Sequence, residues 1–131
     1  MYYITLLHSN LRWILLAVVL STILLYALTS IRIIRYSRFI RIFSMAFAGL
    51  MDLQAVLGLS ILTIKTISIG SSYIRFALSH AISMLLAVIT AHIAARWSKA
   101  PDKVVRALIA TLLTLLFILS GIREITGEWL G

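Results

Sequence analysis

The 131 residues are 62% hydrophobic and only 12% charged, with a mean hydropathy of +1.07, one proline and no cysteine. Soluble domains average about 45–50% apolar and about 25% charged residues, so a water-soluble enzyme, a disordered tail and a disulfide-stapled secreted module are all excluded. The formal charge is +8, from 12 Lys and Arg against 4 Asp and Glu, and in so apolar a chain that surplus is first a topology signal.

About 20 apolar residues cross a hydrocarbon core about 30 Å thick. Four stretches qualify: residues 3–30, 42–66, 73–97 and 104–125. They use nearly the whole of residues 1–131, so a single four-span transmembrane domain is expected. The first stretch is too long for a signal peptide and lacks its basic start and small-residue cleavage site. Between the first two spans lie Arg32, Arg35, Arg38 and Arg41; between the last two lie Arg96, Lys99, Lys103 and Arg106. The opposite side carries Arg12, Lys65, Arg75 and Arg123, with Glu124 and Glu128. This asymmetry predicts cytoplasmic basic loops and external termini. The basic residues sit at span ends without an aromatic reading surface, which argues against nucleic acid. They suit anionic membrane lipids.

The second connection, residues 67–72, contains Gly70 and two serines and predicts a tight turn. The third has Ala100-Pro101-Asp102, a helix stop with an immediate restart. Short connections join antiparallel neighbours, so the expected fold is all-α, an up-down-up-down four-helix membrane bundle.

Polar residues inside a membrane are costly unless paired or used, and here they are few. His8 and His80 each lie near the outer start of their spans, and those two spans run in the same direction. Their imidazoles are therefore expected at one depth, across a bundle diagonal of about 12–14 Å if neighbours are about 8–10 Å apart. That gap suits two histidines holding one flat metal macrocycle, a single bis-histidine haem b in the outer leaflet. Arg12, one turn from His8, falls on its face and could meet a propionate. Ser79, Ser83, Ala87, Ala91 and Ala95 form a ladder of small side chains. Ser83 and Ala87 are expected to leave room for the porphyrin. The plain alternatives are hydration at the interface for each histidine, snorkelling for Arg12 and helix packing for the ladder.

His92 lies twelve residues beyond His80, about 18 Å along the axis, and cannot share its metal. It is expected near the basic interface beside Arg96 and Trp97, with a proton or quinone role as the alternative. Asp52 and Gln54 fall near mid-span. Proton exchange with a quinone, a bond to a ligating histidine and an interhelical bond to a span-four hydroxyl are the readings open to them. Span four carries only Thr111, Thr114 and Ser120 before its polar end, and reads as a packing helix.

LLHSNLRW, DLQAVLGL, and LSHAISMLLAVITAHI followed by RWSKA resemble the small four-helix membrane b-type cytochromes, the cytochrome b-561-like family. The likeness covers the first three spans. It implies a haem-binding bundle with His8 and His80 at the family's histidine positions, and it departs at Asp52, where members carry a histidine two residues before the glutamine. The expected function is electron transfer through haem b, with quinone as an accompanying cofactor, inside a larger respiratory complex or a homodimer. The competing expectation is a haem-free accessory subunit of a respiratory or transport complex. A metal-ion or solute permease using His8, His80 and Asp52 is weaker, because Met45, Met51 and Met84 are not clustered as copper ligands.

Overall fold

The computed structural model describes residues 1–128, and no strand occurs among them. Four helices follow one another: α1 (Tyr2–Ser30), α2 (Arg38–Ile69), α3 (Ser71–Trp97) and α4 (Val104–Thr126), the last entered through a single 3-10 turn at Pro101–Lys103. All four are long and apolar enough to cross a membrane. Each helix packs on its chain neighbour and α1 also meets α4, which closes the ring of a four-helix bundle. Leu20, Leu24, Val56, Leu59, Leu85 and Leu116 face outward, as they would toward lipid tails. The basic connections lie at one end of the bundle, and the start of α1 and the end of α4 at the other.

The second connection is shorter than the sequence predicts. α2 continues to Ile69, α3 starts at Ser71, and Gly70 alone makes the turn at φ +106° and ψ −178°. Its N–H donates to Thr66 O at 2.9 Å, and the Tyr73 N–H donates to Gly70 O at 3.1 Å. That backbone region belongs to glycine, and a Cβ there costs about 1–3 kcal/mol. Gly70→Ala is therefore expected to lower unfolding stability by that amount, measured by thermal unfolding in lipid, although open space surrounds the position.

The core divides lengthwise. Around mid-bundle Leu15, Val19, Phe47, Met51, Ala87 and Ile118 pack together. At the basic end a second cluster holds Tyr26, Ile40, Val104 and Ala107. Buried hydroxyls there find partners, as they must without water. The Tyr26 hydroxyl bonds Ser44 Oγ across α1 and α2, and Tyr36 Oη donates to Ser98 O at 2.6 Å, tying one basic connection to the other. Where α3 meets α4 the surfaces are small: Ala87, Ala91, Ala94 and Ala95 against Ala107, Ala110, Thr111 and Thr114. Small faces let backbones approach closely, and Thr90 and Thr114 hydroxyls bond at 2.7 Å across the contact.

Candidate functional site

Toward the terminal end the packing opens. A cavity of about 420 Å³ runs along the seam of α2 and α3 and reaches His8 of α1. A smaller space of about 100 Å³ adjoins it on the α4 side. His8, Ser9, Gln54, His80, Met84 and Ile125 line both, so the two histidines stand between the spaces. The apolar walls and few convergent polar groups are those of a small-molecule or cofactor site.

The rings of His8 and His80 meet edge-on at 6.4 Å between centroids, with planes at 80°. No hydrogen bond joins them among the described residues. Two imidazoles on opposite sides of one metal have metal–nitrogen bonds of about 2.0–2.1 Å each, which with the ~1.1 Å from nitrogen to ring centre gives about 6.2–6.4 Å between centroids. The observed separation leaves room for a metal ion between the rings.

His80 is oriented from α4. Its Nδ1 lies 2.6 Å from Gly121 O, and a carbonyl only accepts, so Nδ1 carries the proton and Nε2 keeps its lone pair. A ring N–H held by a backbone carbonyl is the usual support of a metal-binding histidine. The approach needs glycine: a Cβ at 121 would come within 2.9 Å of Met84 Sδ and 3.4 Å of His80 Nδ1. A second glycine serves His8, since a Cβ at Gly58 would lie 3.2 Å from His8 Cε1. Gln54 fixes the same turn of α1, its Nε2 donating to His8 O at 3.0 Å.

Buried polar atoms without a partner concentrate here. Of the four among the described residues, His8 Nδ1, Arg12 Nε and Gln54 Oε1 belong to this site; the fourth is Thr66 Oγ1. Unmet polar groups are rare in native interiors and call for an explanation. The Arg12 guanidinium stacks over Trp13 at 5.0 Å and lines the smaller space. Lys65 lines the larger one beside Tyr73, 5.3 Å from its ring.

The other residues singled out in the sequence sit elsewhere. Ser83 and Ala87 do not line the cavity, because the face that carries them is packed against α4. Ser83 Oγ donates to Glu124 Oε1 at 3.2 Å, and Ala87 is fully buried in the core. Gln54 joins the histidine site while Asp52 does not: its Oδ1 pairs with His92 Nε2 at 2.7 Å on the outer face of α2 and α3. No group of three or more His, Asp or Glu side chains assembles among the described residues, so a metal here would rest on the two histidines and a non-protein ligand set. Gly58, Gly121 and Lys65 were not singled out from the sequence. The signal that could find the glycines is their presence inside apolar spans, where glycine marks close approach. No family model, curated protein or solved structure matches the chain.

Proposed function

We propose that the chain is a haem b-binding membrane electron-transfer protein, with His8 and His80 as axial ligands, related to the cytochrome b-561-like family. The observation that carries the reading is the pair of imidazoles from α1 and α3, 6.4 Å apart between two adjoining cavities. A flat macrocycle centred between the rings would extend into both spaces, and the buried polar atoms there support a bound group. When bound, haem supplies reversible one-electron chemistry at iron.

The protein's own residues would do the rest. His80 offers Nε2 with its tautomer held by the Gly121 carbonyl. Gln54 holds the turn bearing His8. Arg12 and Lys65, both at the cavity walls, suit carboxylates through charge-assisted bonds. An apolar lining together with two histidine ligands would favour electron transfer over oxygen chemistry. The protein would work in the cytoplasmic membrane of a prokaryote, termini outside, as one subunit of a respiratory complex or as a homodimer.

A reduced-minus-oxidised absorption spectrum of the purified protein tests this directly. The expected result is b-type bands at about one haem per chain. A colourless protein that co-purifies stoichiometrically with larger subunits would overturn the reading and favour a haem-free accessory role.

A further inference from the structure

The end of the bundle away from the histidines is charged almost entirely with one sign. Arg32, Arg35, Arg38 and Arg41 stand on or beside the first connection, and Arg96, Lys99, Lys103 and Arg106 on or beside the third. All are exposed except Lys103, which is half-buried. None of the eight joins an ion pair among the described residues, and Asp102 is the single carboxylate at that end among them. The charge these cations need must come from outside the chain.

The fold gathers them around one point. Tyr36 Oη donates to Ser98 O at 2.6 Å and draws the two connections together. Ile34, Tyr36 and Trp97 pack against the buried cluster of Tyr26, Ile40, Val104 and Ala107, and Ser98 is fully buried. Their chain neighbours Arg35, Arg96 and Lys99 are left exposed. Cations of both hairpins thus flank the bond, with Arg38 two residues beyond Tyr36. Ile31, Ile33 and Phe39 are also exposed beside these arginines, at 64%, 67% and 58%. Apolar side chains interleaved with cations suit the level where headgroups meet acyl chains better than bulk water.

We propose that the surface around the Tyr36–Ser98 bond binds the headgroup of an anionic phospholipid carrying two phosphodiesters, of the diphosphatidylglycerol type. Phosphodiester oxygens accept hydrogen bonds, and guanidinium and ammonium groups only donate them. Arg35 and Arg38 hold one phosphate from the first connection, and Arg96 and Lys99 hold the other from the third. Two linked phosphates engage both sets at once, which gives them an affinity that separate monophosphate lipids lack. Ile31, Ile33 and Phe39 lie among the acyl chains, which sets this occupant apart from a soluble phosphate or an acidic peptide. In the sequence these basic residues are a topology signal, and the Tyr36–Ser98 bond is what makes a site of them. The proposal does not depend on haem at the histidine site.

The test uses the full chain in nanodiscs of phosphatidylcholine doped with diphosphatidylglycerol or, matched in charge, with phosphatidylglycerol, the retained lipid being counted by native mass spectrometry. Wild-type protein is expected to saturate at about one diphosphatidylglycerol per chain and to prefer it about tenfold. Arg35→Gln/Lys99→Gln is expected to bind it about tenfold more weakly, since two charge-assisted contacts are lost. Arg41→Gln/Arg106→Gln takes the same charge from the same end and is expected to keep the preference. Tyr36→Phe leaves every charge in place and loosens the clasp, so affinity should fall about threefold. If Arg35→Gln/Lys99→Gln fails to insert, the two single variants stand in for it, each about threefold weaker. Equal loss in the two double variants would overturn the proposal, because a diffuse surface potential would then account for the binding. So would equal retention of the two lipids, unchanged affinity in Tyr36→Phe, or displacement of the lipid by inorganic phosphate. Haem content, read separately by absorbance, leaves this outcome independent of the fate of the histidine site.

Discussion

His80→Ala protein is expected to lose more than about tenfold of its haem b relative to wild type, with its helical content unchanged. Loss of groups that merely support a metal ligand typically costs about 10–100-fold in affinity, and this variant removes the proposed ligand itself. The ring also holds α3 to α4 through Gly121 O. Deleting it removes one hydrogen bond, worth about 0.5–1.5 kcal/mol, which is small beside the burial of four packed helices. His8→Ala should behave alike, because the proposed site needs both imidazoles. Thr63→Val is the matched control: that hydroxyl is exposed and bonds only its own helix, at Leu59 O. Absorbance spectra with circular dichroism on the same samples check the prediction, and full haem retention in His80→Ala would refute it.

The second large effect is expected at Gly58, with stability and cofactor binding moving in opposite directions. A Cβ there meets His8 Cε1 at 3.2 Å, closer than the usual carbon–carbon contact of about 3.5–4.0 Å. Gly58→Ala gains about 1 kcal/mol of helix propensity and pushes the ring by a few tenths of an ångström, so haem should bind about tenfold more weakly or less. Gly58→Leu projects a whole side chain into the cavity that His8 shares. It should strip about 10–100-fold of the haem affinity while the haem-free protein melts at the wild-type temperature or above, because cavity filling stabilises at the expense of a site. Thermal unfolding and haem titration on one preparation separate the two effects. A Gly58→Leu protein with an intact spectrum would show that the cavity is not where the cofactor lies.

Much of the architecture was legible because membrane helices announce themselves by length and hydropathy. Arg38–Ile69 and Ser71–Trp97 extend past the apolar stretches, since polar residues such as Ser68 and Ser71 continue a helix once hydrocarbon no longer dictates composition. Gly70 read as a turn, but its ability to reverse the chain alone depends on a backbone conformation that composition does not reveal. Matching His8 with His80 required only depth and direction, both countable along the chain. Ser83 and Ala87 required rotation: the small ladder turns toward α4, because two small surfaces pack closest against each other. Rotation also hid Asp52 and His92. Their spacing from the basic residues differs by seven positions, and they meet because helical side chains lean toward the N-terminus, which in antiparallel α2 and α3 brings the two toward each other.

The bond from Tyr36 Oη to Ser98 O has a mechanical meaning. It pins the α1–α2 hairpin to the α3–α4 hairpin at the basic end, while the Gly70 turn joins α2 to α3 at the other. His8 rides on the first hairpin and His80 on the second. The two hairpins are thus tied at both ends of the bundle, and the imidazoles stand in a frame whose spacing is set by the chain itself.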